Sequence, residues 1–387
     1  MKLRRPAKTA PVRGPVDRRL RALTLLLVGF GLVMVYSASS VLSIVQYGES
    51  TVFVAGQVVK ALMGILAMLV AARLDYRLWA RLSKPLVWIA TLLLLFLALR
   101  VGGSLTPEIN GARRWIVVPG FAFQPIELAK LALVVWMAAT IARKGRKIDR
   151  PSEGLVPLIV LPAVMAGLVL VQPDFKGAFM LGLLAVALLF LGGVRWPTLI
   201  RISAAGVPLA VVLMVLEPYR LRRLAAFFNP GEDIQGISYQ INQSLISLGS
   251  GGWFGVGLGS SKQKFAFLPM AHTDFIVSII GEELGLIGTL ALLAAFLYLG
   301  ALGYQIARQA PDAFGFLLAS GITTLILVSA LLNMGVATAA LPTTGLPLPF
   351  VSYGGTALIV HLLAIGILLS ISRDRVEEPH RERGSRR

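Results

Sequence analysis

Apolar residues in this chain fall in long runs rather than in alternation. Ten runs, at about 23–45, 51–72, 84–100, 124–142, 155–171, 178–194, 202–218, 275–303, 315–341 and 353–372, are separated by polar or basic segments. A helix that crosses a bilayer needs roughly 20 consecutive apolar residues, and several runs fall a little short of that. The pattern predicts an all-α integral membrane protein of about ten transmembrane helices. The connections are unequal. Those at 46–50 and 172–177 are brief, and those at 101–123 and 342–352 are moderate. The segment from Tyr219 to Asp274, between spans 7 and 8, is by far the largest and is rich in Gly and Ser. Two stretches in it, Tyr219–Leu224 and Tyr239–Ile246, have amphipathic spacing and predict short helices lying on the membrane surface.

Composition supports this reading. Of 387 residues, 56% are hydrophobic and only 14% are charged, too few for a soluble domain of this size. The absence of cysteine excludes disulfides and thiolate metal sites. The three histidines, His272, His361 and His380, are too dispersed to predict a histidine metal cluster. A net charge of +18 would suit nucleic acid, but the charge sits in the tails and in short loops, where it sets topology instead. An even number of spans puts both termini on one side. If that side is the cytoplasm, it receives most of the 37 Lys and Arg, including Arg73, Arg77, Arg81, Lys84, Arg143, Lys144, Arg146, Lys147, Arg150, Arg195, Arg201 and Arg308. The expected organisation is a basic cytoplasmic tail over 1–22, a membrane domain over 23–373 with an extracytoplasmic loop over 219–274, and a second tail over 374–387. The first apolar run is too long for a signal peptide and lacks a small-residue cleavage site.

Three constellations carry candidate chemistry. The first is Ala271-His272-Thr273-Asp274-Phe275-Ile276 followed by Gly281-Glu282-Glu283-Leu284-Gly285. Acids at the mouth of a membrane span are costly to keep ionised and seldom lack a use. Partial desolvation would make Asp274 a better general base, whereas a plain role would be to cap the helix that follows. Glu282 and Glu283 lie too far in for capping, and a buried pair of acids predicts a cation partner, a proton relay or a divalent metal. The second runs from Asn110-Gly111-Ala112-Arg113-Arg114-Trp115 to Glu127 and Lys130. An arginine pair on the outer side suits phosphate oxygens or lipid head groups. Glu127 and Lys130 share a helix face and predict an intrahelical ion pair. The third, Leu341 to Thr356, holds three prolines and a Gly-Gly step that forbid a continuous helix, and broken backbone at membrane depth lines a cavity. No Walker loop, dinucleotide fingerprint or HExxH is present.

Taken together, Tyr36–Ser40, Asn110–Lys130, Gln172-Pro173-Asp174, Tyr239–Gly288 and Asn333–Thr356 resemble the SEDS family (shape, elongation, division and sporulation), whose members include FtsW and RodA. The resemblance covers nearly all of residues 20–373. Gly259–Lys264 and Ser247–Gly252 look more like the division (FtsW) branch than the elongation (RodA) branch. Two departures stand out: Met270 stands where the family usually has an acid, and Lys176 interrupts the family's Gln-Pro-Asp-x-Gly pattern.

The resemblance implies a peptidoglycan glycosyltransferase that polymerises lipid II on the outer face of the bacterial cytoplasmic membrane, at the division septum. It implies Asp274 as general base and inversion at the anomeric centre, with undecaprenyl pyrophosphate leaving. It also implies substrate contacts from Arg113, Arg114, Glu127, Lys130, Gln243, Lys264, His272, Ser352 and Tyr353. A divalent cation (Mg2+ or Mn2+) is expected, with Asp174, Asp274, Glu282 and Glu283 as candidate ligands, and no organic cofactor. Expected partners are a class B penicillin-binding protein (a transpeptidase) and other division-complex membrane proteins, with no nucleic acid. A lipid II flippase is the rival reading, since a ten-span bundle with intramembrane Glu and Lys also describes carriers.

Overall fold

The computed structural model describes residues 12–109, 111–145, 148, 154–215, 227, 238–265, 267–343 and 345–375. Expectations for most of the basic N-terminal tail, Asn110, Arg146, Lys147, Arg150, the amphipathic stretch Tyr219–Leu224, and the C-terminal tail beyond 375 with His380 fall outside those residues. The helices are α1 (Arg18–Tyr47), α2 (Val52–Arg73), α3 (Arg77–Ala98), α4 (Pro125–Lys144), α5 (Val156–Val171), α6 (Phe175–Leu191), α7 (Trp196–Val215), α8 (Tyr239–Ser250), α9 (Ile276–Gln309), α10 (Ala313–Ala337) and α11 (Gly355–Arg373). Among the described residues, α1 to α4 and α9 to α11 are long and apolar enough to cross a membrane. Helices α5 and α6 are equally apolar but have 16 and 17 residues. Two short antiparallel pairs complete the fold: β1 (Val12–Arg13) with β4 (Asp374–Arg375), and β2 (Ile116–Val118) with β3 (Phe121–Phe123).

Burial sorts the helices. Helices α4, α10 and α11 are enclosed almost all round and form the centre of the bundle. Around them α2, α3 and α9 turn Leu62, Leu66, Trp88, Leu92, Leu290 and Leu297 outward, as lipid-facing helices do. Helix α1 begins at Arg18, five residues before the apolar run, because Asp17 caps it: its carboxylate accepts from the Arg19 and Leu20 amides. The two chain ends are tied together. The Asp17 N–H donates to Ser372 Oγ, and Gly14 N donates to the Arg373 carbonyl. On the same end of the bundle, Arg77 bridges Asp312 at 3.5 Å and Asp374 at 3.1 Å.

Helix α9 is broken. Gly285 has φ 69° and ψ −168°, a conformation that only glycine adopts without strain. The loop after α8 repairs the freed backbone groups. Val256 N and Gly257 N donate to the Glu282 and Glu283 carbonyls, while Leu286 N and Ile287 N donate to the Gly252 and Trp253 carbonyls. Non-helical backbone persists at membrane depth only when protein satisfies it in this way. Helix α8 is amphipathic, with its polar side turned into the protein. Its serines face inward, Ser244 Oγ onto Ser278 Oγ and the Ala337 carbonyl and Ser247 Oγ onto the Ser278 carbonyl, whereas Leu245 and Ile246 are exposed.

Candidate functional site

The end of the bundle away from the termini gathers the three constellations. The segment before α9 turns sharply at Met270, whose φ is +56° and whose carbonyl accepts from the Thr273, Asp274 and Phe275 amides. Phe275, not Asp274, is the N-cap residue of α9. Three consecutive carbonyls of this segment are then pinned from outside. Tyr353 N donates to the His272 carbonyl at 2.9 Å, Ser352 Oγ to the Thr273 carbonyl at 2.6 Å, and Asn333 Nδ2 to the Asp274 carbonyl at 2.9 Å. Asn333 Nδ2 also holds the Leu346 carbonyl at 2.7 Å. The His272–Asp274 segment is thus fastened both from Asn333 of α10 and from the non-helical backbone just before α11. That non-helical backbone reaches deep enough to lie on Gly31 of α1, where a Cβ would come within 2.5 Å of the Phe350 carbonyl.

Asp274 is half-buried at this mouth. A Cβ placed on Gly345 would lie 3.1 Å from Asp274 Oδ2 and 3.2 Å from Lys176 Nζ, so a carboxylate and an ammonium both lie beside one glycine. The Lys176 ammonium donates to the Gly345 carbonyl. His272 is buried against Phe53 and Tyr353, with ring centroids 5.1 and 5.6 Å away. Burial pushes its imidazole down to about 4, so at neutral pH it carries no charge with which to hold phosphate.

Several predicted site residues serve the scaffold. Ser352 is buried, its hydroxyl occupied by the Thr273 carbonyl and the Leu348 amide. Arg114 donates to the Gln172 and Pro173 carbonyls, and Arg113 donates to the Arg100 carbonyl and forms an ion pair with Glu108 at 3.7 Å. Both guanidinium groups therefore brace the 101–123 segment. Lys264 donates to the Gly259 carbonyl, and Gln243 is half-buried on α8. Glu127 and Lys130 form the expected ion pair at 2.8 Å, with side chains only 4% and 3% exposed.

The proposed metal ligands do not assemble. Among the described residues no group of three or more His, Asp or Glu is placed to hold a metal ion. Asp174 caps α6, accepting from Gly177 N at 3.1 Å. Glu282 accepts from Ser247 Oγ, Ser261 Oγ and Lys262 N, and Glu283 from Ser37 Oγ and Ser261 N. Hydroxyl and amide donors hold three of the four carboxylate oxygens and tie the post-α8 loop and α1 to the broken helix, while Glu283 Oε2 is buried without a hydrogen-bond partner among the described residues. Met270, in the place of an acid, is exposed and adds no ligand. The described acids thus supply no closed metal site, and a Mg2+ bound here would take most of its ligands from substrate phosphates and water.

The sequence reading missed one helix face. Phe53, Gln57 and Lys60 of α2 follow i, i+4, i+7 spacing and all meet the Ser352–Gly355 segment. Gln57 Nε2 donates to the Ser352 carbonyl at 3.1 Å, and Lys60 Nζ donates to Tyr353 Oη at 3.2 Å while lying 4.6 Å from that ring's centre. A lysine and a glutamine inside an apolar run were the available signal.

Comparison with known proteins shows the family to which the chain belongs. A family model described as "Cell cycle protein", that of FtsW, RodA and SpoVE, matches residues 18–377. The "Probable peptidoglycan glycosyltransferase FtsW" of Trichlorobacter lovleyi is 42% identical over 371 residues, covering 96% of this chain and 95% of the relative. That of Geobacter metallireducens is 45% identical over 344 residues, covering 89% and 91%. Among solved structures, a chain described under "Structural coordination of polymerization and crosslinking by a peptidoglycan synthase complex" superposes with TM-score 0.77 at 30% identity, covering 94% of this chain and 99% of that one. Thermus thermophilus RodA gives 0.69 at 29%, covering 94% and 98%. The chain is a multi-pass membrane protein that belongs to the FtsW/RodA/SpoVE family.

Proposed function

We propose that this chain is a peptidoglycan glycosyltransferase that polymerises lipid II into glycan strands for septal wall synthesis. The observation that carries the reading is the convergence on Asp274: a half-buried carboxylate at the bundle's mouth, with three successive carbonyls fixed and the Lys176 ammonium also beside Gly345. A general base must be held still within reach of the proton it takes, and this one is held. In the proposed step, Asp274 accepts the proton of the acceptor sugar's 4-hydroxyl. That oxygen forms the new bond at the donor's anomeric carbon from the face opposite the phosphate, inverting the centre. The anomeric carbon–oxygen bond to phosphate breaks, and its electron pair leaves on undecaprenyl pyrophosphate. The chain's relatives named "Probable peptidoglycan glycosyltransferase FtsW" support the reaction class, and their name supports the division branch over elongation.

The membrane arrangement proposed is ten spans, α1 to α7 and α9 to α11, with cytoplasmic termini and the Tyr219–Asp274 segment outside. The asymmetry of basic residues supports it. Single cysteines placed at Ser250 and Ser385 of this cysteine-free chain should label from opposite sides of intact cells, and labelling of both from one side would overturn the arrangement. A class B penicillin-binding protein is the proposed partner, supported by the chain's similarity to a component of a peptidoglycan synthase complex. The deciding experiment is a gel assay of glycan strands formed from lipid II by purified protein in detergent. A flippase has no membrane to work across there and would yield no polymer.

A further inference from the structure

Asp274 is held through its backbone, and the residues that hold it are themselves held. Ser352 Oγ and Tyr353 N fasten the Thr273 and His272 carbonyls, yet both residues lie in non-helical chain, since α11 begins only at Gly355. What grips that chain from the side is α2. Gln57 Nε2 donates to the Ser352 carbonyl at 3.1 Å, and Lys60 Nζ donates to Tyr353 Oη at 3.2 Å. One turn before Gln57, Phe53 packs on the rings of both His272 and Tyr353, with centroids 5.1 and 5.5 Å away. Further along, α2 and α11 are in close contact at two glycines. A Cβ on Gly64 would come within 2.6 Å of Leu362 Cδ1, and one on Gly366 would strike the Met68 carbonyl. Close approach at small residues fixes the register of helices in lipid. Lys60 is the costly member of this face. Its neighbours Val59 and Leu62 are 58% and 62% exposed and turn toward lipid, where a cation seldom lacks a use. Its ammonium meets Tyr353 twice, through the hydroxyl and, 4.6 Å from the centroid, over the ring.

We infer that Gln57 and Lys60 are positioning residues for the reaction: they fix Ser352 and Tyr353, which fix the two carbonyls preceding that of Asp274, and so hold its carboxylate where it takes the acceptor's proton. The inference rests on the polymerase reading and deepens it. Each route is two hydrogen bonds long, Lys60 to Tyr353 to His272 and Gln57 to Ser352 to Thr273. Tyr353 is thereby anchored at both ends, its hydroxyl by α2 and its amide on the segment that carries Asp274. A reacting group displaced by about 1 Å loses on the order of 10²-fold in rate, while contacts that bind substrate elsewhere survive.

The test uses the purified full-length protein with lipid II, magnesium being present in every arm, and the variants Lys60→Met, Lys60→Arg, Gln57→Met, Tyr353→Phe and K60M/Y353F. Methionine keeps the stem and removes the donor; arginine keeps the donor and the charge; phenylalanine keeps the ring and the amide. K60M and Q57M should lose about 10- to 100-fold in kcat, with KM for lipid II within about twofold of wild type, and K60R should retain most of the rate. Y353F breaks the same bond as K60M, so the double variant should fall no more than about twofold below the slower single one. Hydrogen exchange at the Tyr353 amide, measured without lipid II, should quicken about tenfold in K60M. A raised KM at unchanged kcat in K60M would overturn the inference and assign the lysine to substrate. Unchanged kcat, unchanged exchange at Tyr353, or multiplied losses in the double variant would also overturn it. So would a K60M loss matched by unfolding that K60R does not rescue. A wild type that forms no strands, with the exchange effect of K60M intact, would refute the polymerase reading and leave the coupling of α2 to the Asp274 segment standing.

Discussion

Replacing Lys130 by Met tests whether the buried pair in α4 is structural. Glu127 and Lys130 meet at 2.8 Å and are almost completely enclosed. At an effective dielectric of about 20, charges at that distance attract by about 6 kcal/mol. Desolvating each ion costs several kcal/mol, so the intact pair is close to neutral for stability. Removing one partner leaves the desolvation cost of the other uncompensated, about 3 to 5 kcal/mol. K130M should therefore destabilise the fold by that amount, whereas the double variant Glu127→Leu/Lys130→Met should return to within about 1 to 2 kcal/mol of wild type. Denaturant unfolding in mixed micelles, followed by tryptophan fluorescence, reads this directly, since Trp136 lies on the same helix. A cycle coupling energy below about 0.5 kcal/mol would refute the argument. A K130M variant as stable as wild type but inactive would assign the lysine to substrate instead.

Other outcomes follow from the same geometry. Gly285→Ala puts a Cβ within 2.6 Å of three backbone atoms of the Trp253–Gly255 loop, so strain and two lost hydrogen bonds should cost about 3 to 5 kcal/mol. Hydrogen exchange at the Leu286 and Ile287 amides should accelerate in that variant, and unchanged protection would sink the repaired-break account. His272 is held neutral, its value lowered to about 4 by burial, so its contribution is complete above the unfolded value near 6.5 and drains as pH falls from there toward 4. Between pH 7 and 4 the wild type should lose up to about 3 kcal/mol more stability than His272→Phe. Identical acid sensitivity in the two proteins would contradict that.

The apolar runs made the helices legible because lipid demands unbroken apolar length, a requirement that sequence displays openly. What escaped were features whose cause lies far along the chain. The start of α1 at Arg18 depends on an Asp17 cap, which hydropathy does not register. The break at Gly285 is stable only because Gly252, Trp253, Val256 and Gly257 supply its missing partners. Glu282 and Glu283 announce themselves as unpaired acids until Ser37, about 250 residues earlier, and Ser261 arrive to bond them. The Arg113–Arg114 pair reads as a phosphate clamp from residue type alone, and only the fold brings the Gln172 and Pro173 carbonyls to Arg114. Asp274 stood out early because an acid at the edge of a span has few ordinary uses. Its pinning by Asn333, Ser352 and Tyr353 joins motifs that sequence could list but not assemble.

The most direct measurement is polymerisation of lipid II by the purified Asp274→Asn protein beside wild type. The amide nearly preserves the carboxylate's shape and leaves the backbone carbonyls that Asn333, Ser352 and Tyr353 hold, so folding should be unchanged. It cannot accept the hydroxyl proton, and the loss of a general base costs about 10² to 10⁴ in rate. The account predicts glycan strands from wild type and essentially none from a variant with an unaltered unfolding transition. Strands made by D274N at a rate near wild type would contradict it.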